Sequence, residues 1–309
     1  MRKRVIFISL TVLLISLVCF TLYNKDTAKL DLKQLKGDLL IENKMNETNY
    51  TFGAIKYTTY NGNAKVVFNE DYYTPYYYSQ DKSKILLLKY IQDPTVNDYV
   101  IFEYDIKNKV LTGLVKFKQD LPNEYSTVRF SNIRYIPGKR SISYLWCDKL
   151  YILDLVTKKE TFVTNIDGNA NSYYGWSNNG EKLVFSKNDI IHTLDISDEK
   201  KVTTTDMKGY SPIYSQGGKH IAYLGDENFK HCLKVRDTVT GEEWTYKTND
   251  IIVNYVFSPD EKCLAIVEKD VGFFNLGAHE AGHIKVWDYK NSTFGTLIKY
   301  YEGNTIDWK

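Results

Sequence analysis

The chain has 309 residues, of which 43% are hydrophobic and 25% are charged, values that are normal for a globular protein with a sizeable core. The net charge is +2, but residues 1–37 alone carry +5, so the remaining 272 residues sum to −3. A slightly acidic body argues against nucleic-acid binding, which needs a basic face to meet phosphates. The 26 tyrosines favour β-structure.

The chain begins with a basic tetrapeptide followed by a long uncharged run. Residues 1–4 read MRKR, and residues 5–23 contain no charged side chain. A helix of this length nearly spans the hydrocarbon core of a bilayer. The positive-inside rule places the N-terminus in the cytoplasm. We therefore predict a membrane anchor at 1–24, with the span at 5–23 and the rest of the chain outside the cytoplasmic membrane.

Two alternatives to an uncleaved anchor remain open. A lipoprotein would be modified at Cys19, although Val18 stands where a lipobox has a small residue. A cleaved signal peptide has a shorter apolar region and a small-x-small cleavage site, and no such site follows Tyr23. The length of the run favours the uncleaved anchor.

Residues 25–37 are predicted to be a short linker, and residues 38–309 a single β-rich ectodomain. Between Asp38 and Tyr72 the sequence supplies three strand-like segments. The stretch from Tyr72 to Ser79, YYTPYYYS, then forms the most conspicuous aromatic cluster. It could be a stacking platform for a ligand. The favoured interpretation is that Tyr76–Tyr78 form a strand and pack between structural units.

A repeat runs through the body of the chain. Each copy has an aromatic residue shortly before a serine, then a polar turn, a lysine or its near equivalent, and an apolar strand. The serine positions, one of which is occupied by isoleucine, are separated by 57, 41, 38 and 43 residues and are Ser79, Ile136, Ser177, Ser215 and Ser258.

A second landmark is an aspartate at the end of an alternating strand in each copy. Its side chain can accept hydrogen bonds from the amides of the following tight turn. These aspartates are Asp105, Asp154, Asp195, Asp237 and Asp288. Each unit therefore holds four short strands in about 40 residues, the period of β-propeller blades.

The repeat resembles the WD40-like (PD40) repeat of the TolB family, whose pattern runs roughly W/F-S-P-D-G followed by an apolar strand. The two closest copies are FSPDEKCLAI from Phe257 and WSNNGEKLVF from Trp176. The resemblance covers residues 72–300 and implies a β-propeller. In TolB-like proteins the propeller serves interactions, so the resemblance also implies a binding function.

The motif HEAGH at residues 279–283 has the sequence form of a zinc metalloprotease site. In such a site a helix must bring His279 and His283 to one face. Gly277 and Gly282 disfavour that helix, and an apolar strand begins directly after the motif. We interpret the match as accidental, in a solvated hairpin loop, with a structural metal site at His279 and His283 as the alternative.

The C-terminal segment IDWK resembles an inner strand, with Trp308 matching Trp176. Joined to the three strands from Asp38 to Tyr72, it would complete a sixth blade and remove the exposed edges. We predict an all-β, six-bladed propeller with five full blades and one closed by both termini, following the N-terminal transmembrane helix. Five or seven blades are the alternatives.

The cysteines and histidines show no catalytic spacing. Cys147, Cys232 and Cys263 lie in apolar runs and are predicted to be buried and free, with a Cys232–Cys263 disulfide as the alternative. The histidines at 192, 220 and 231 lie on or beside strands and are predicted to be packing residues.

No catalytic residue, cofactor or metal site is therefore predicted. The leading hypothesis is a single-pass extracytoplasmic propeller that binds a protein or cell-envelope partner without catalysis. The alternative is a propeller hydrolase or lyase with a metal or histidine site facing the channel.

Overall fold

The predicted membrane span, residues 5–23, lies outside the part of the chain that the structure describes. The computed structural model describes residues 29–46, 51–59, 61–70, 73–93, 96–118, 130–146, 148–166, 174–197, 201–227, 230–269, 282–301 and 306–309. Within these ranges, no helix has both the length and the apolar composition needed to cross a membrane.

The described strands form six four-stranded antiparallel sheets, as the repeat predicts. Five sheets are continuous in sequence, and each runs from an inner strand through second and third strands to an outer strand. Blade 1 consists of β4 (Tyr73–Tyr78), β5 (Lys84–Asp93), β6 (Val96–Asp105) and β7 (Val110–Lys118). Blade 2 consists of β8 (Phe130–Tyr135), β9 (Ser141–Trp146), β10 (Lys149–Asp154) and β11 (Glu160–Asn165).

The next three blades follow the same order. Blade 3 consists of β12 (Gly175–Trp176), β13 (Lys182–Lys187), β14 (Ile190–Asp195) and β15 (Lys201–Lys208). Blade 4 consists of β16 (Tyr210–Tyr214), β17 (His220–Glu227), β18 (Lys230–Asp237) and β19 (Glu243–Lys247). Blade 5 consists of β20 (Ile251–Phe257), β21 (Cys263–Lys269), β22 (Gly282–Asp288) and β23 (Thr293–Tyr301).

Blade 6 is built from both ends of the propeller, which confirms the predicted closure and the count of six. Its strands are β1 (Asp38–Asn46), β2 (Thr51–Thr58), β3 (Asn63–Asn69) and the inner strand β24 (Ile306–Trp308). β24 pairs antiparallel with β1, and Trp308 stands opposite Leu39. Backbone hydrogen bonds between Asp38 and Lys309 extend the pairing by one residue.

The hydrophobic core is a ring of six clusters, one at each interface between neighbouring blades. Successive residues of a second strand point to opposite faces of the sheet. In β21, Leu264 and Ile266 pack toward blade 4, whereas Ala265 and Val267 pack toward blade 6. Both faces of these strands are therefore buried, which explains why they read as continuous apolar runs.

The repeated serine organises the turn between the inner and second strands, here called the AB turn. Ser258 Oγ donates to Asp260 Oδ1 (2.7 Å) and accepts from the Cys263 amide (3.0 Å). Ser177 repeats this arrangement with Asn179 and the Lys182 amide. In blade 2 the serine position holds Ile136, and there the backbone bonds alone form the turn.

The repeated aspartate caps the turn between the third and outer strands, here called the CD turn, as predicted. Asp237 Oδ1 accepts from the Val239 and Thr240 amides, both at 2.8 Å. Asp154 accepts in the same way from Val156 and Thr157. The CD turns also bond the AB turns, for example Thr238 N to Lys219 O at 2.8 Å. Both sets of turns therefore lie on one end of the propeller, here called the turn face.

The described part of the predicted linker, residues 29–37, lies against the propeller. It contains a 3-10 helix at Leu32–Gln34, and Leu35 is buried between blades 5 and 6. Leu30 N donates to Phe294 O at 2.9 Å. Apolar side chains that precede the first strand therefore form part of the core of the ectodomain.

Replacement of Trp308 tests the closure of the ring. Its side chain is fully buried, and Nε1 donates to Lys36 O at 2.8 Å. We expect Trp308→Ala to lower the free energy of unfolding by about 3–5 kcal/mol through cavity formation. Chemical denaturation measures the loss. Phe162→Ala, which removes a ring that is 44% exposed on β11, is the control; an equal loss in both variants would contradict the closing role of Trp308.

Candidate functional site

An aromatic residue stands directly before the serine position in every blade, counting Lys309 as the equivalent position in blade 6. These six side chains form a ring around the propeller axis at the turn face, and all of them line one cavity. They are Tyr78, Tyr135, Trp176, Tyr214, Phe257 and Trp308. The repeat thus builds an aromatic wall as a by-product of its packing.

The residues two positions before the serine position come from the same inner strands. They are Tyr77, Arg134, Gly175, Ile213, Val256 and Asp307, and all except Gly175 line the same cavity. The cavity measures about 690 Å³, within the range of small-molecule sites. It extends from the inner strands to the AB turns of the turn face. We take it as the candidate functional site.

Arg134 is the cation in this inner set. Its guanidinium carbon lies 4.5 Å from the centre of the Tyr77 ring and 5.5 Å from that of Tyr174. Among the described residues it forms no ion pair within 4.0 Å, and its buried Nε has no hydrogen-bond partner. Burial raises the pKa of Tyr77 to about 12, and the charge of Arg134 opposes that rise. Tyr77 is therefore neutral and provides no counter-charge.

Tyr174 is held in place by a buried hydrogen-bond network. Its hydroxyl donates to Asn132 O at 2.6 Å and lies 2.9 Å from Ser143 Oγ. Trp176 Nε1 donates to the same Ser143 oxygen at 2.8 Å. Because Ser143 is fully buried, this network fixes Tyr174, which contacts Arg134, together with Trp176 of the cavity wall.

The three carboxylates of the cavity are all engaged in structural bonds. Asp81 Oδ1 accepts from Ser79 Oγ (2.6 Å) and from the Ser83 amide and hydroxyl. These bonds hold the pKa of Asp81 at about 2. Glu103 pairs with Lys84 and accepts from Tyr135 OH at 3.0 Å.

Asp307 is the most buried of the three, with 2% of its surface exposed. Its two oxygens accept from the Tyr78 and Trp308 amides, each at 3.0 Å. The carboxylate therefore ties the closing strand β24 to blade 1. Neither histidine nor cysteine occurs among the described lining residues, of which eight are aromatic and six are basic.

Of the HEAGH motif, only Gly282 and His283 are described, and residues 279–281 lie outside the described ranges. His283 lies in β22, not in a helix or a solvated loop, and stands opposite Glu268. Its side chain is only 17% exposed. The strand replaces the helical geometry that a zincin needs, because blade 5 requires its third strand here.

His283 belongs to a charged cluster between blades 4 and 5. Its Nε2 lies 2.9 Å from Glu268 Oε2 and 3.9 Å from Asp250 Oδ2. Ligand atoms of these three residues lie within 4.8 Å of one another, which is close enough to hold a metal ion. However, Lys285 Nζ lies 2.7 Å from the same Glu268 oxygen. The ammonium supplies the positive charge that the fully buried Glu268 needs, so the cluster fits an ion-pair network better than a metal site.

His192, His220 and the two described cysteines occupy packing positions. His192 stacks on Phe185 with ring centres 5.5 Å apart, and buried His220 lies against Tyr289. Cys232 and Cys263 are buried and free, so the alternative disulfide is not formed. Burial raises the pKa of Cys263 to about 12. Cys147 lies outside the described residues, and His231 lies on β18.

Comparison with known proteins supports the fold. No protein-family model and no curated protein matches the sequence. A protein assigned as TolB from Agrobacterium tumefaciens is similar in structure, with a TM-score of 0.56 and 14% identity over 89% of this chain and 99% of that one. The predicted resemblance to TolB-like propellers is thus confirmed at the level of the fold.

Other propellers of different activity are about equally similar. The periplasmic gluconolactonase of Pseudomonas aeruginosa has a TM-score of 0.52 and 10% identity over 88% of this chain and 98% of that one. A chain of the nidogen/laminin complex reaches 0.61 with 10% identity over 87% and 97% of the two chains. At these identities the likeness shows the fold and no more.

Sequence reasoning did not identify Arg134 as a site residue. The signal was present, because Arg134 is the basic residue at a position that other blades fill with aromatic, aliphatic, glycine or acidic residues. Blade 2 also departs from the repeat at Ile136, two residues later. The Tyr76–Tyr78 cluster does form part of an inner strand, as predicted, and Tyr77 and Tyr78 additionally line the cavity.

The acid dependence of stability tests the bonding of Asp81. Because its folded-state pKa is depressed to about 2, its stabilisation is present above pH 4 and is lost as the pH falls toward 2. We expect Asp81→Asn to cost about 1 kcal/mol or less at pH 7, since the group is exposed. That difference from the wild type should shrink as the pH falls from 4 to 2 in urea denaturation.

Asp148→Asn is the matched control, because Asp148 is an exposed turn carboxylate without a hydrogen bond or ion pair to the described residues. Asparagine keeps the turn at position 81, as Asn179 does in blade 3. A wild-type/Asp81→Asn difference that is constant from pH 7 to pH 2 would contradict the assignment.

The charged cluster predicts a large effect of Lys285. We expect Lys285→Met to lower the free energy of unfolding by about 3 kcal/mol, because it leaves Glu268 buried without its cation. A second change, Glu268→Gln, should restore most of the loss. Lys56→Met is the control and should cost less than about 1 kcal/mol, since its partner Asp38 keeps Thr58 and Lys82.

Metal analysis and the same stability measurements distinguish an ion-pair network from a metal site. Zinc bound stoichiometrically to the purified wild type and lost in His283→Ala would contradict the ion-pair interpretation. So would an equal loss of stability in Lys285→Met and Lys56→Met.

Proposed function

We propose that this protein is a membrane-anchored, extracytoplasmic β-propeller that binds a protein or cell-envelope partner through its turn face, without catalysis. The N-terminal span at 5–23 would hold it in the cytoplasmic membrane with the propeller outside. The anchor rests on the length of the uncharged run and the basic residues before it.

The main support for a binding function is that the acidic groups of the cavity are already engaged in structural hydrogen bonds and ion pairs. A hydrolase or lyase needs a base, a nucleophile or a metal-ligand set that can act on a substrate. Here Asp81 is bonded within its own turn, Glu103 to Lys84 and Tyr135, and Asp307 to two backbone amides. The groups that remain partly exposed in the cavity are the half-buried rings of Tyr77, Tyr135 and Tyr214 and several basic side chains, which suit recognition.

A second observation favours the turn face as the surface that contacts the partner. Its AB and CD turns are tied by side-chain and backbone hydrogen bonds in successive blades, so the surface is preorganised. A rigid surface loses little conformational entropy on association. The solved TolB and nidogen/laminin structures share this fold, and the latter is a complex of proteins.

A catalytic function is the second hypothesis, because solved lactonases share the fold. Their likeness to this chain is only 10% in identity, and it transfers no site residue. No described residue set at the cavity favours that chemistry over binding.

Site-specific photocrosslinking in the native host tests the proposal. The full chain would carry a photoreactive residue at Gln80 or Lys139, both exposed beside the cavity mouth, or at Val202, which is 52% exposed on the outer strand β15. We expect one discrete adduct from positions 80 and 139, and none from 202. The adduct should stay in membranes after a carbonate wash.

Two results would oppose the proposal. Equal labelling from all three positions would contradict a partner site on the turn face, and release of the chain by carbonate would contradict the anchor. Turnover of a lactone or glycoside by the purified chain that is lost in Asp307→Asn would favour the enzyme.

A further inference from the structure

The interior of the central cavity carries a cation that has no counter-ion among the described residues. Arg134 projects from β8 beside two tyrosine rings, and no carboxylate of the described residues lies within 4.0 Å of its guanidinium. An arginine presents five N–H donors in a planar fork that matches a carboxylate or a phosphate. Arg134 is half-buried, and removing a cation from water without such a partner costs free energy.

The tyrosine rings hold the guanidinium rather than neutralise it. Tyr77 and Tyr174 stabilise the cation through their ring faces, and Tyr174 is itself fixed by Asn132 and Ser143. The buried Nε of Arg134 has no partner among the described residues. The geometry therefore preorganises a cation that is directed into a cavity.

The other charged residues of the cavity add to its excess of positive charge. Of the described lining residues six are basic and three are acidic, and each of the three carboxylates already has partners. The basic set is Lys82, Lys84, Arg134, Lys139, Arg140 and Lys309. Since residues 38–309 sum to −3, this excess of positive charge is local to the cavity and its mouth. A cavity lined by one sign of charge attracts ligands of the opposite sign.

We propose that the central cavity binds a small organic anion whose carboxylate or phosphate pairs with the Arg134 guanidinium and whose body lies against the aromatic ring of the inner strands. A volume of about 690 Å³ admits such a molecule. The cavity is the one assigned to the proposed function, but this binding needs no partner protein. The two proposals therefore stand or fall separately.

Calorimetric titration of the purified full chain in detergent tests the proposal. The probes are inorganic phosphate, glucose 6-phosphate, gluconate and citrate, with neutral glucose as the uncharged comparison, all at physiological ionic strength. We expect saturable binding of at least one anion with a Kd below about 1 mM and no binding of glucose. Binding of the phosphates alone or of the carboxylates alone identifies the anionic group, and either result supports the site.

Variants separate Arg134 from general charge effects. Arg134→Gln should weaken binding at least tenfold. Arg236→Gln removes the same charge from the outer part of blade 4, where Arg236 pairs with Asp206 at 2.9 Å, and should leave binding unchanged. Arg134→Lys keeps the charge but not the planar fork and should weaken binding several-fold, so it serves if Arg134→Gln does not fold.

Failure of all four anions to bind would overturn the proposal. So would equal affinity in the wild type and both Arg134 variants, or an equal loss in Arg236→Gln. Because no partner is present in the titration, none of these outcomes depends on the crosslinking result.

Discussion

The structure depends on the fact that a four-stranded blade cannot bury both of its faces by itself. The second strands are apolar on both faces, and each of the six hydrophobic clusters draws residues from two neighbouring blades. The ring must therefore close. Closure rests on β24, because its pairing with β1 and the burial of Trp308 join blade 6 to blade 5 and to the segment that precedes β1.

Closure also explains the composition of the candidate site. The aromatic residues before the serine positions pack between blades, which is a structural role. Because six inner strands converge on one axis, the same residues become the wall of a cavity. Asp307 shows the coupling most directly, since its carboxylate both lines the cavity and ties β24 to the Tyr78 amide. The cavity is therefore a consequence of the fold, and the charge of its wall depends on the few inner-strand positions that depart from the repeat, such as Arg134 and Asp307.

Arg134 and His283 are two residues whose chemical role depends on the charges around them. His283 comes from a motif that looks like a metal site, yet the strand brings it to Glu268, whose charge Lys285 already balances. Arg134 belongs to no recognised motif, yet it lies in the central cavity and has no counter-ion in the part of the chain that the structure describes. The residue with a recognised motif is thus already paired in the structure, whereas the residue without a motif is the one that can meet a ligand. What decides each case is the set of charges that neighbouring strands and blades contribute.

The sequence by itself determined the repeated blade unit and its turn chemistry, and it predicted six blades with five or seven as alternatives; the structure decided the number. Period-2 alternation, the serine and aspartate turns and the match of Trp308 to Trp176 are local signals, and each acts over a few residues. Only the tertiary structure decided which side chains meet. Glu268 and Lys285 come from separate strands of blade 5 and meet Asp250 from the connection between blades 4 and 5, and Arg134 meets Tyr77 and Tyr174 from either side of its own blade. Such contacts depend on how whole blades pack around the axis, and no short-range pattern encodes that arrangement.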